Sequence, residues 1–263
     1  MRRLILLAIV AALTGPTAAW AQKVPVPPPG MEVYYLGLLN RGPAWTRGET
    51  PESKRIQEGH MANINRMADL GALVAAGPIE GDHDLRGIFI FRVKTADEAR
   101  ALAAADPAIK AGRLTLDLHP WWGPAGIGAG FAAEKKADPA MNVKMLTYQL
   151  GLLKAVPGAP PGTPDAQRAH LQHIADMQAA GKLAAVGPIA DGGALRGIFV
   201  FRTDAAEAKR LASEDPHVKD GRLVVDLYSW WCADHVMPDI LPPVPVPKGV
   251  NLARAAQASR ERE

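Results

Sequence analysis

The sequence contains one cysteine in 263 residues, Cys232. An intrachain disulfide is therefore excluded, and no base stands beside this thiol in the chain to mark it as a nucleophile rather than a packed side chain. No glycine-rich phosphate loop, nucleophile elbow, zinc spacing or heme-attachment motif is found anywhere. That removes the most readable classes of nucleotide, hydrolase and metal chemistry. Charge of one sign is also scarce. The formal excess is +3, and Arg2 and Arg3 supply two of those charges near the N-terminus, so the remainder is not a basic nucleic-acid binder. Long apolar runs are confined to Leu4 to about Leu13, too short to span a bilayer comfortably. Followed by Ala19-Trp20-Ala21 before Gln22, that run predicts a cleaved export signal over residues 1–21, hence a periplasmic or secreted protein with no membrane attachment after cleavage. An uncleaved anchor is the alternative.

What the sequence has is a repeat. Leu85-Arg-Gly-Ile-Phe-Ile-Phe-Arg92 returns as Leu195-Arg-Gly-Ile-Phe-Val-Phe-Arg202, and each copy reads as a short buried strand. Other segments follow in step. Strand-like runs Val33–Leu39 and Met145–Leu153 share a glycine, Gly37 and Gly151. Helical spacing over about Pro51 to Leu70 and Pro164 to Ala180 places His60 and His170 four residues before Ile64 and Ile174, on the inward stripe, and Gly71 and Gly181 end the helices. Strands ending in Gly77-Pro78 and Gly187-Pro188 come next. After the repeated strand, short helices near Thr95 to Ala104 and Asp204 to Ala212 are closed by Asp106-Pro107 and Asp215-Pro216. The final strands, from Arg113 and Arg222, run into Trp121-Trp122 and Trp230-Trp231.

Each half therefore reads strand, helix, strand, strand, helix, strand, the ferredoxin-like split βαβ order. The predicted fold is α+β: two tandem βαββαβ domains over 32–122 and 144–232, packed as an intrachain dimeric α/β barrel because each sheet has one bare face to cover. Residues 22–31 form a stiff proline-rich lead-in, 123–143 a glycine-containing flexible linker, and 233–263 a proline-rich and basic tail. Further homo-oligomerisation is left open.

Polar residues kept in both halves are the candidates for chemistry. A histidine on an apolar stripe with a nearby carboxylate makes an imidazole able to exchange protons near neutrality. His60 with Asp106, and His170 with Asp215, are such pairs, yet sequence cannot bring residues so far apart together. A stripe histidine can instead bond a backbone carbonyl, and an Asp-Pro can simply end a helix. Arg86 and Arg196 are candidates for holding a substrate carboxylate, or are solvated strand-end charges. Trp122 and Trp231 are candidates for an aromatic wall, or close the core with their neighbours. His170 and His173, three apart, suggest a metal pair, but Asn63 stands at the matching place in the first half, so no duplicated metal site is expected. Asp82-His83-Asp84 is expected to be a solvated loop.

A histidine in the first helix (Glu58-Gly-His60, Arg168-Ala-His170), a Gly-Pro ending the second strand, an Asp-Pro followed by Gly-Arg-Leu, and a terminal Trp-Trp together resemble the YCII-related family. The resemblance covers about Glu32 to Trp122 and Leu146 to Trp231. It implies a dimeric α/β barrel with a His–Asp active site beside each sheet, at His60 with Asp106 and His170 with Asp215. The wider superfamily implies lyase, isomerase or monooxygenase chemistry on small ring compounds. The expected function is cofactor-free acid–base chemistry of lyase or isomerase type on a small organic molecule. The alternative is a non-catalytic periplasmic binding or accessory module.

Overall fold

The computed structural model describes residues 26–247. The export signal expected over 1–21, the first residues of the lead-in and the segment 251–263 lie outside the described residues. The chain forms β1 (Met31–Arg41), α1 (Pro51–Asp69), β2 (Leu73–Pro78), β3 (Leu85–Phe91), α2 (Ala96–Ala104), α3 (Pro107–Lys110) and β4 (Leu114–Pro124). After α4 (Ala129–Ala137) the series repeats as β5 (Met145–Ala155), α5 (Pro164–Ala179), β6 (Leu183–Pro188), β7 (Leu195–Phe201), α6 (Ala205–Glu214), α7 (Pro216–Lys219) and β8 (Leu223–Ala233). The two antiparallel sheets run β2-β3-β1-β4 and β6-β7-β5-β8, so the predicted ferredoxin-like order is the observed one.

The repeated strand explains how the sheets are used. Side chains alternate across a strand. In β3, Ile88 and Ile90 join the core between the sheets, while Phe89 and Phe91 join the core under α1 and α2. In β7, Ile198 and Val200 take the first direction, Phe199 and Phe201 the second. Both faces are buried, which is why these strands read as unbroken apolar runs rather than alternating ones. Each phenylalanine contributes about 1.5–3 kcal/mol by its burial.

The sheets meet face to face and join at their edges. The Glu80 amide donates to the Ser229 carbonyl at 2.9 Å, and the Ala190 amide to the Pro120 carbonyl at 2.8 Å. Trp121 and Trp230 are fully buried, each tilted against a tyrosine of its own sheet, Tyr34 at 5.7 Å and Tyr148 at 6.0 Å. At these crossings the backbones nearly touch. A Cβ on Gly77 would lie 1.7 Å from the Trp231 carbonyl oxygen, and one on Gly187 1.8 Å from that of Trp122. The Gly-Pro that ends both second strands is thus the place where each half lets the other half's backbone through.

Helix ends follow the expected chemistry. Thr50 caps α1, its hydroxyl accepting from the Ser53 amide at 3.0 Å while Ser53 Oγ accepts from the Thr50 amide at 2.8 Å. Thr163 caps α5. Gly71 and Gly181 follow the two helices with φ of 67° and 66°, the left-handed conformation that terminates them.

Three expectations need correction. The connecting stretch is not a loose tether: it holds α4, its Ile127 is fully buried, and Gly128 and Phe131 donate their amides to Val236 and His235 carbonyls. Asp82 is not simply solvated, since it pairs with Arg41 and Arg47, and His83 meets Tyr228 of the other half edge-on at 5.3 Å. The start of the tail packs down as well, with Val236 and Met237 buried between the sheets and Gln178 donating to the Leu241 and Pro242 carbonyls. Among the described residues no helix is long and apolar enough to cross a membrane.

Because backbone oxygens, not flexible side-chain ends, occupy the space at the two crossings, Gly77→Ala and Gly187→Ala should each destabilise the fold by about 2–3 kcal/mol, the upper range for overpacking. Urea denaturation monitored by tryptophan fluorescence would read the loss; an unchanged midpoint for both variants would mean the edges do not meet as described.

Candidate functional site

The aspartate of each Asp-Pro starts a helical turn as well as following one. In α7, Asp215 is the N-cap and its Oδ1 accepts from the His217 amide at 2.8 Å, with Pro216 at the first helical position. Its other oxygen, Oδ2, lies 2.6 Å from His170 Nδ1 on α5. The first half repeats the arrangement: Asp106 Oδ1 accepts from the Ala108 amide at 2.8 Å, and Oδ2 lies 2.8 Å from His60 Nδ1 on α1. Both aspartates are completely buried. Burial by itself would raise their carboxyls, but the histidine's hydrogen bond and charge and the capping amide outweigh it and hold both below the usual carboxylate range. An ionised carboxylate can only accept, so Nδ1 of each histidine carries a proton, and whenever the ring is neutral Nε2 keeps its lone pair. Neither Nε2 has a hydrogen-bond partner among the described residues.

Around these shared pairs the two halves differ. His60 stacks on Phe89 with ring centres 5.9 Å apart, and Asn63 adds a 3.2 Å hydrogen bond to Asp106 Oδ2. His170 lines a cleft of about 560 Å³ bounded by α5, β6, β7 and the loop after β5. His217 shares that cleft, its ring centre 4.8 Å from that of His170. Burial, then the nearby His170 charge, push the His217 imidazole below its ordinary value. Its partners agree with a neutral ring: Gln167 Oε1 accepts from Nε2 at 3.1 Å, while Nδ1 faces the Arg222 guanidinium at 3.4 Å.

Of the expected substrate-binding residues, Arg196 lines this cleft, and its guanidinium reaches the Gly192 carbonyl at 3.2 Å. Arg86 instead donates to the Gly81 carbonyl at 2.8 Å and lies over the ring of Trp45. Trp122 and Trp231 do not line the cleft. Trp231 pairs with Thr147, whereas the strand enters the cleft at Leu223 opposite Ala155. Eight residues of strand, roughly 26 Å, separate the two places. Pleat alternation then points the two tryptophans of each pair to opposite faces, so Trp121 and Trp230 are buried while Trp231 is 46% exposed. His173 turns away from His170 and places Nε2 2.9 Å from the Leu211 carbonyl, so the two histidines do not converge on a metal. Cys232 is sealed in the barrel, where burial pushes its thiol up to about 12.

His217, Gln167, Arg222 and Trp45 were not among the expected site residues. A comparison that looks for residues kept in both halves passes over His217, because Ala108 stands opposite it, whereas Gln167 and Arg222 have Gln57 and Arg113 at the matching places and were open to such a comparison.

At Asp106, Asp215 and His217 the folded state holds fewer protons than the unfolded chain, so their share of stability rises with pH. The carboxylate share is present above an unfolded value near 4 and is lost as pH falls through the lower folded value; the His217 share starts to erode below about 6.5. Urea midpoints should therefore fall between pH 7 and 5, and His217→Ala should flatten that segment. Asp215→Ala, which removes both a cap and a charged hydrogen bond, should cost about 3 kcal/mol at pH 7.

No curated protein matches the chain. Among solved structures it is similar to a variant of chlorite dismutase from Candidatus Nitrospira defluvii, with 13% identity, a TM-score of 0.49, and coverage of 76% of this chain and 91% of that one. A provisionally named chlorite dismutase is similar at 10% identity and a TM-score of 0.47, covering 76% and 94%. A provisionally named monooxygenase from Lactobacillus acidophilus follows at 14% identity and 0.39, covering 75% and 92%. The family model that matches is the YCII-related domain, over residues 33–121. The chain thus carries a YCII-related domain in its first half, and its second half repeats the same strands, helices and His–Asp pair.

Proposed function

We propose that the protein performs cofactor-free acid–base chemistry of lyase or isomerase type on a small organic molecule, and that the cleft beside His170 is where it does so. The observation that carries this reading is an imidazole whose Nδ1 is held by a buried, ionised aspartate and whose unpartnered Nε2 belongs to a residue lining an open cleft. In such a site Nε2 takes a proton from a carbon next to a carbonyl, and Asp215 stabilises the imidazolium that forms. Returning the proton elsewhere on the substrate gives an isomer; loss of a leaving group gives a lyase. His217, kept neutral and with both ring nitrogens engaged by Gln167 and Arg222, lines the cleft beside His170 without competing for the first proton. Export to the periplasm or beyond, from the sequence of the first 21 residues, belongs to the same proposal.

A panel of small carbonyl acids incubated in D2O should reveal a compound whose C–H exchanges or reacts in the presence of the protein. His170→Gln should slow that reaction by about 100-fold or more, with His60→Gln much less harmful. A panel member that binds the cleft but neither exchanges nor reacts would point to the non-catalytic binding module instead. For export, mass spectrometry of protein from a host's extracellular or periplasmic fraction should find Gln22 as the first residue; an intact Met1 there would refute cleavage.

A further inference from the structure

The halves disagree most at one place. In the first half Trp45 lies under three guanidinium groups, those of Arg86, Arg113 and Arg41 at 5.0, 5.2 and 5.5 Å from its ring centre. The corresponding positions in the second half follow from the backbone. Arg41 and Ala155 each donate to the residue before the repeated strand, Asp84 and Ala194; Gly42 and Val156 donate to Arg113 and Arg222; Trp45 and Ala159 then close the same turn back onto Gly42 and Val156. So Trp45 corresponds to Ala159, Arg41 to Ala155, and Arg86 and Arg113 to Arg196 and Arg222. All four second-half residues line the cleft. Two large side chains have become alanine, two arginines have stayed, and the space the indole fills in one half is open in the other.

We infer that Trp45 is a built-in occupant, and that the second-half cleft receives from solution what the first half supplies from its own chain: a flat aromatic ring of about indole size, bearing an acid group. This rests on the reading of the His170 cleft as the working site. The ring is called for by the two guanidinium faces, which in the first half both lie against an indole. Leu153, Ile174, Ile198 and Phe199 give the cleft an apolar lining for it. The acid group is called for by charge. Arg196 reaches a backbone carbonyl rather than a carboxylate, and Asp191, the carboxylate of the loop before its strand, is held 2.7 Å from His119 Nδ1. Arg222 has Asp220 at 3.1 Å but keeps its Nε buried without a partner. His170 and His217 line the same cleft.

Indole-3-acetate serves as the probe, titrated into the full mature chain by calorimetry. Wild type should bind one equivalent; Ala159→Trp, which copies the first half, should weaken binding at least 10-fold; Trp45→Ala combined with Arg41→Ala, which copies the second half, should raise the stoichiometry to two. Ala155→Arg gives the same block where Ala159→Trp does not fold, as judged by circular dichroism. No binding or two equivalents to wild type, undiminished binding to the blocking variant, or a stoichiometry still at one for the double variant Arg41→Ala, Trp45→Ala would overturn the inference. Probe binding by wild type with no His170-dependent chemistry on any compound would sink the acid–base reading and leave this one standing.

Discussion

The fold depends on two sheets being able to cross with almost nothing between their backbones. A four-stranded sheet with helices on one side has an apolar face left over, and neither half can bury that face alone. The crossing solves it for both at once, since β2 of one half runs against β8 of the other and β6 against β4. Glycine at 77 and 187 is what makes the approach sterically open, and Trp121 and Trp230 fill the corners that the approach creates. The shared core between the sheets then draws on Tyr34, Leu36 and Ile88 from one half and Tyr148, Leu150 and Ile198 from the other.

The His–Asp pairs lie on the outer side, between each sheet and its helices. There one aspartate does two jobs. Its first oxygen caps a four-residue helix and its second holds an imidazole, so the two contacts together fix the orientation of the carboxylate. The shortness of α3 and α7 is part of this arrangement. A turn of one helix pressed against α1 or α5 puts the cap within reach of a histidine about 45 positions earlier, and Gly59 permits the contact with Pro107 in the first half.

Duplication allowed the two copies to be used differently. The His–Asp pair, its cap and its tautomer are common to both, which is expected of geometry that the fold itself enforces. What lies on the open side of each imidazole is not enforced in that way. The first half carries Phe89 against His60 and a tryptophan under three arginines, whereas the second carries His217 and a cleft.

The repeat, the order of strands and helices, the caps of α1 and α5, and the two histidines and aspartates as paired candidates were all written in the sequence. These are properties of local periodicity, turn chemistry and self-comparison, and they survive without coordinates. The linker's helix and the docking of the tail were not, because nothing local distinguishes a glycine-containing tether from one whose Ile127 finds a buried site. Trp122 and Trp231 were misplaced for a related reason: the sequence shows paired tryptophans, but pleat direction and strand length decide which one meets a cleft. Only the tertiary structure joined His170 to Asp215 and placed Trp45 opposite Ala159. Contacts between residues distant in sequence depend on how whole elements cross, and that is fixed by packing two sheets together rather than by any segment of the chain.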